Sequence, residues 1–131
     1  MPGEKGDKGE PGDPGILGAV EVFGNRPGPL PLSERFTTSG GKLLIAVSGS
    51  GYRALEAGGG LLGIDVLIDG VKVGSINGFT NEPESHKTLP SRTFYLQQGA
   101  AVGMHTLTIS AQLDTLTDGN DFFNATIIEV R

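Results

Sequence analysis

A chain of 131 residues with 15 acidic and 10 basic side chains carries a net charge of −5, which argues against a nucleic-acid backbone as partner. It has no cysteine, which removes disulfides, thiolate zinc sites and thiol catalysis together. No apolar run is long enough to span a bilayer and no secretory leader is recognisable, so membrane insertion is not expected.

Residues 3–18 read GEKGDKGEPGDPGILG, in which glycine occupies every third position: Gly3, Gly6, Gly9, Gly12, Gly15 and Gly18. Three polyproline-II chains wind together only if every third residue lacks a side chain, because that residue faces the crowded axis. Pro11 and Pro14 stand third in their triplets, where a fixed φ pre-organises the strand. Lys5 and Lys8 each precede a Gly-acid pair, an order that places opposite charges across staggered chains. A flexible Gly/Pro linker is the bland alternative, and the unbroken period speaks against it. Residues 3–18 resemble the end of a collagen-like domain. Since the triplet phase starts directly after Met1, the native repeat is expected to extend further upstream. The last triplet turns apolar at Ile16 and Leu17. With Val20, these residues are expected to pack near the threefold axis where three strands leave the helix.

Residues 19–34 read as an extended connector, because Pro27, Pro29 and Pro31 forbid helix and central strand. From residue 35 to 131 the pattern is strand, turn, strand. Lys42–Ser48 is a β run. Ile64, Val66 and Ile68 alternate and lead to Asp69-Gly70, a favoured tight-hairpin pair. Arg92–Gln97 is a further strand. In HTLTISAQL, Leu107, Ile109 and Ala111 share one face, with Thr106, Thr108 and Ser110 on the other. Phe122–Val130 ends the chain. No segment keeps a helical period for three turns, so the expected fold is an all-β, antiparallel sandwich or barrel.

Two of these strands are apolar on both faces. Leu43, Ile45 and Val47 oppose Leu44 and Ala46, while Ala125 and Ile127 oppose Ile128 and Val130. A solvated outer face should be polar. Either the chain's own loops cover these strands or one face packs against a neighbouring subunit. The Gly-X-Y repeat, which demands three chains, favours the neighbour.

The chemical signals are weaker. Gly49-x-Gly51-x-x-Ala54 follows a β run and has Asp69 about twenty residues on, like a dinucleotide fingerprint. Only YRALEA is available for the required helix before Gly58-Gly59-Gly60, so a flexible glycine-rich loop is the better reading. Asp114, Asp118, Asn120 and Asp121 concentrate oxygen ligands in one loop and form a candidate calcium site. The same residues are ordinary turn chemistry, and their spacing is not that of an EF-hand. His86 and His105 have no partner at metal spacing, and no G-x-S-x-G elbow exists. No catalytic residues emerge and the chain is not expected to be an enzyme. Lys5-Gly6-Asp7 follows from the repeat composition. Asn124-Ala125-Thr126 is a formal glycosylation sequon in an expected strand.

A repeat of five triplets spans about 45 Å at about 3 Å per residue, too short to gather three chains unaided. A C-terminal domain that trimerises first would fix the stagger and raise the local strand concentration. The layout resembles collagen-like proteins of bacteria and phages. Its head resembles the complement-type and tumour-necrosis-factor-like heads that follow collagen stalks, given Gly41–Val47, the hairpin at Ile68–Val71, HTLTIS and the terminal DFFNATIIEV. Where those heads alternate aromatics after the leading glycine, this chain has Leu43 and Ile45, and no binding residue carries over. The resemblance implies a jelly-roll homotrimer, with two identical chains as partners, at a cell surface, in the extracellular space or on a virion. The expected function is a structural trimerisation head for a stalk or phage tail fibre. The alternative is a head that recognises a receptor or glycan through SGSGYRALEAGGG and INGFTNEPESHKTLPSR, which are long and glycine-rich or polar.

Overall fold

The structure, a computed structural model, describes residues 15–131. Gly3, Gly6, Gly9 and Gly12, together with the rest of the repeat before residue 15, lie outside them. The described chain forms eleven strands: β1 (Ile16–Pro27), β2 (Leu32–Thr38), β3 (Lys42–Ser48), β4 (Ser50–Arg53), β5 (Gly60–Ile68), β6 (Val71–Thr80), β7 (Lys87–Thr88), β8 (Arg92–Leu96), β9 (Gly103–Ala111), β10 (Thr115–Leu116) and β11 (Phe122–Val130). One 3-10 turn, Leu55–Ala57, is the only helical element among the described residues.

Two four-stranded antiparallel sheets carry the fold, in the orders β1-β11-β3-β8 and β2-β9-β5-β6. The first and last long strands pair within one sheet, and the next pair inward lies in the other. This interleaving is a jelly roll, in agreement with the expected all-β sandwich. A small third sheet, β10-β4-β7, closes one end.

The core follows from strand alternation. Phe123, Ala125 and Ile127 of β11 face inward, as do Leu43, Ile45 and Val47 of β3. From the second sheet come Leu62, Ile64, Val66, Leu107 and Ile109. Phe23, Phe36, Phe94 and Leu89 fill the space between. The alternation of β9 holds for Leu107 and Ile109, whereas Ala111, at the strand's end, is exposed. Asp69 and Gly70 form the two-residue hairpin loop with φ of 50° and 81°, the left-handed pair that a tight β5–β6 turn requires.

The segment expected as a connector holds most of β1 and the start of β2. Both are edge strands, which tolerate the prolines at their ends: Pro27 closes β1, and Pro29 and Pro31 lie in the corner before β2. The apolar pattern of residues 16–23 had a sheet to join, and the prolines concealed it. The glycine phase also runs three residues into β1. Gly18 pairs with Glu129 and Ile16 with Val130, so Gly18, expected in the triple helix, belongs to a β-strand. The amide of Arg131 donates to the carbonyl of Gly15 at 2.9 Å, which places both ends of the described chain side by side.

Candidate functional site

Strand registers sort the loops into two ends. Val130 pairs with Lys42 and Ile16, so Gly15 lies at one end of the sandwich. Asn124 pairs with Ser48 and Phe122 with Pro27, so the chain around Ser50, Gly28 and Asp121 lies at the other. Thr115 pairs with Arg53, and Gly51 with Lys87, at this second end. The three segments 49–59, 81–91 and 112–121 therefore gather at the tip remote from Gly15. Both loops read as recognition surfaces reach this tip.

The glycine-rich loop is ordered by a single side chain. Ser50–Arg53 is a strand where a nucleotide site would need a helix, so the dinucleotide fingerprint has no anion-binding helix terminus behind it. Arg53, nine-tenths buried, donates from Nε to the carbonyl of Gly58 at 2.7 Å and from Nη2 to that of Ala57 at 3.0 Å. Its Nη1 donates to the carbonyl of Leu61. A planar five-donor fork suits three carbonyls, two from the loop and one from the start of β5. The loop expected to be flexible is thus tied to β4.

Beside it lies a polar cluster. Asp121 is fully buried. Its Oδ1 accepts from Ser50 Oγ at 2.6 Å and meets His86 Nδ1 at 2.8 Å, and its Oδ2 accepts from the Asp118 amide at 2.9 Å. His86 Nε2 lies 3.6 Å from Asp118 Oδ2, and the His86 ring rests on Tyr52 with centroids 4.5 Å apart. The Asn120 amide donates to Asp118 Oδ1, a local turn that fixes the loop. Ser50 donates to the carboxylate and not to the imidazole, so the trio lacks a nucleophile–base pair.

Of the four residues expected to hold calcium, Asp118 and Asp121 converge. Asn120 contributes its backbone to the turn. Asp114 stands apart, at φ 66°, and its carbonyl accepts from Ala54. His86, which sequence spacing left without a partner, joins them, and ligand atoms of His86, Asp118 and Asp121 lie within 4.8 Å of one another. The set fits a cation poorly. Calcium takes six to eight oxygens, whereas here two carboxylates sit at the two different nitrogens of one imidazole. The arrangement is a hydrogen-bonded clamp that closes the 117–121 loop onto the 81–91 loop.

The other surface of note is the outer face of β1-β11-β3-β8. Ala19, Ile128, Leu44 and Tyr95 form one row across its four strands, with Ile16 and Val130 in the next. Ile128, Leu44, Ala46 and Val130 are half-buried, and Tyr95 is exposed. The adjacent row of the same face, Glu21, Thr126, Ala46 and Thr93, is mostly polar, so the apolar part of this face lies toward the Gly15 end. Ile16, Leu17 and Val20, expected to pack near a threefold axis, are all exposed in the single chain.

No protein-family model and no curated protein matches the sequence. Among solved structures, the tripod from the baseplate of bacteriophage Tuc2009 is similar at 9% identity, with a TM-score of 0.54, over 100% of this chain and 69% of that one. Dimeric latent PorU from Porphyromonas gingivalis is similar at 13% identity and a TM-score of 0.50, over 86% of this chain and 12% of the other. The carbohydrate-binding module CBM36, in complex with calcium and xylotriose, gives a looser likeness: 18% identity and a TM-score of 0.46, over 88% of this chain and all of that module. At these identities the likeness concerns the fold.

Proposed function

We propose that the chain is the homotrimeric head of a collagen-like stalk and that its first task is to bring three chains together in register. The observation that carries this reading is the apolar row Ala19–Ile128–Leu44–Tyr95, with Ile16 and Val130 beside it, on the outer face of β1-β11-β3-β8, next to a Gly-X-Y repeat whose phase runs into β1 itself. The repeat calls for three chains. The face offers Ile128, Leu44 and Val130, apolar side chains that removal from water would stabilise by about 25 cal/mol per Å². A β-sandwich that also occurs in a phage baseplate tripod is an architecture used in virion parts, which accords with a surface or tail-fibre setting.

Light scattering tests the reading. Residues 15–131 contain all of β1, whereas a cut at residue 19 would remove its first three residues. The 15–131 fragment is expected to run as a trimer, and the full chain to add a polyproline-II circular-dichroism signal that melts separately. A monomer at micromolar concentration in both would end the proposal.

The second reading, a recognition head for a receptor or glycan, draws on one specific observation. The loops 49–59 and 81–91 meet at the tip remote from the stalk, where a partner has free access. Arg53 and the His86 clamp hold them in a fixed shape, which lowers the ordering cost of binding. A glycan array probed with the full chain and with an 81–91 loop replacement checks it. Binding that survives the replacement would remove that loop as the surface.

A further inference from the structure

Strand alternation sends Leu62, Ile64 and Val66 of β5 and Ile76 of β6 into the core. The residues between them face outward, on the side of β2-β9-β5-β6 turned away from the other sheet. A solvated outer face should be polar. At one end it is not. Leu61 and Phe79 stand directly opposite each other, exposed by 65% and 64%. β5 starts directly after the 49–59 loop, so this pair lies toward the tip remote from Gly15.

Beside the pair runs an oriented strip of polar side chains. Ser75 Oγ donates to Asn77 Oδ1 at 3.1 Å, Asn77 Nδ2 to Gln112 Oε1 at 2.8 Å, and Gln112 Nε2 to Asp65 Oδ1 at 2.7 Å. A carboxylate only accepts, so Asp65 fixes which way both amides point. Gly63, the partner of Asn77, makes room for them. A Cβ there would collide with Asn77 Nδ2 and Gln112 Oε1, so the two amides meet in the space that a side chain on β5 would fill. Each amide nitrogen keeps a second N–H, and Asp65 keeps Oδ2; none of the three has a partner among the described residues. Lys72 Nζ lies 3.3 Å from Asp65 Oδ1 and balances its charge.

We infer that this strip is a glycan platform for a neutral pyranose sugar; it gives a site and a ligand class to the recognition reading, on which it rests. A pyranose presents one face of C–H groups and a rim of hydroxyls that both donate and accept. Phe79 and Leu61 supply an apolar bed for the face. The spare N–H groups of Asn77 and Gln112 donate to hydroxyl oxygens, and Asp65 Oδ2 accepts a hydroxyl proton. The paired Asp65 and Lys72 leave the strip without net charge, which favours an uncharged sugar over an acidic one. From Leu61 to Asp65 the platform runs about 14 Å at about 3.4 Å per residue. Two apolar side chains beside an amide run are small for the core of a stable protein interface, which takes about 800 Å² from each partner. The hydrogen bonds hold the strip in shape before a sugar arrives, which lowers the ordering cost. It lies on the sheet opposite the proposed trimer contact, so assembly leaves it open.

The test uses the full chain on an array of neutral cello-, xylo-, manno- and chito-oligosaccharides, followed by calorimetric titration with the array member bound best. Phe79→Ala removes the bed and Asn77→Ala breaks the amide run. Both sites are exposed, so each variant should keep the wild-type melting temperature within a few degrees. Leu61→Ser replaces Phe79→Ala if that variant melts early. Each variant is expected to bind at least about tenfold more weakly. Phe79→Trp, which keeps an aromatic bed, should retain binding, and so should the 81–91 loop replacement, which leaves β6 intact. Binding that survives both Phe79→Ala and Asn77→Ala but is lost with the loop replacement would overturn the platform and leave the recognition reading standing on its loops. A wild-type chain that binds no oligosaccharide on the array would reject glycan recognition and the platform together.

Discussion

His105 Nδ1 lies 2.5 Å from Asp69 Oδ2, and its Nε2 lies 2.6 Å from the carbonyl oxygen of Ala101. A carboxylate and a carbonyl only accept, so both ring nitrogens donate and the ring is an imidazolium. The pair ties the β5–β6 turn to the start of β9, because Asp69 Oδ1 also accepts from the Thr106 amide. The Asp69 carboxylate, and after it the Ala101 carbonyl, hold His105 above its ordinary 6.5. His105, and after it the Thr106 amide, hold Asp69 below its ordinary 3.8.

The signs of these shifts fix a pH window. The raised His105 contributes stability that is complete below 6.5 and lost as pH rises through its folded value. The lowered Asp69 contributes stability present above 3.8 and lost as pH falls through its folded value. The pair therefore stabilises most between about pH 4 and 6.5. Melting temperatures measured from pH 4 to 9 should decline above pH 6.5 in the wild type. His105→Gln should flatten that decline. An unchanged slope would show that the decline comes from another group.

Glu129 occupies the inward register of β11 after Ile127, where an apolar residue would be expected. Burial by itself pushes its carboxyl up. The amides of Gly41 and Ser39 and the Ser39 hydroxyl outweigh burial and hold it below the ordinary 4.5. Glu129→Ala strands those donors and should destabilise the domain by about 2–4 kcal/mol in urea melts. Glu129→Gln, which keeps one acceptor, should cost less. The wild-type contribution should fade as pH falls below 4.5. Equal losses for both variants would mean that shape, not acceptance, is what Glu129 supplies.

Gly99 and Gly70 both have positive φ, 60° and 81°. A Cβ at Gly99 would lie 2.0 Å from the carbonyl oxygen of Gly41, whereas one at Gly70 meets nothing within 4 Å. Gly70→Ala should cost about 1 kcal/mol, the price of left-handed backbone alone. Gly99→Ala should cost clearly more, since backbone must move to admit it. Chemical denaturation of the two variants side by side checks the order, and equal costs would argue against the clash.

The clamp at the tip predicts a null result for calcium. Addition of millimolar calcium, or its removal by chelation, should leave the melting temperature unchanged. Asp121→Asn should lower stability by about 2–4 kcal/mol, because His86 and Ser50 lose a charged acceptor in a buried place. A calcium-dependent rise of several degrees that Asp121→Asn abolishes would place an ion among His86, Asp118 and Asp121 after all.

How far the sequence foretold this depends on the range of the signal. Lys42–Ser48 and Phe122–Val130 are the observed bounds of β3 and β11, and Arg92–Gln97 exceeds β8 by one residue. Alternation is local, so a window of a few residues suffices to read it. β1 and β2 were hidden because proline chemistry at residues 27–31 speaks louder than eight apolar-rich residues before it. β4 was hidden inside a glycine pattern that resembles a nucleotide loop. The His86 clamp had no local trace. Its partners lie 32 and 35 positions away, and the jelly-roll crossings bring three loops to one tip. Asp118 and Asp121 were legible because turn residues and metal ligands share a composition; in the fold Asp118 accepts from the Asn120 amide and Asp121 from the Asp118 amide.

The bond from the Arg131 amide to the Gly15 carbonyl also has a mechanical side. β1 is an edge strand held by β11 along nearly its whole length. A load that enters at Gly15 and is resisted at the remote tip pulls along β1 and stresses its hydrogen bonds together, in shear. The same load resisted at Arg131 would peel the two strands apart one bond at a time. The domain should therefore withstand tension between its stalk side and its far loops far better than tension between its two adjacent ends.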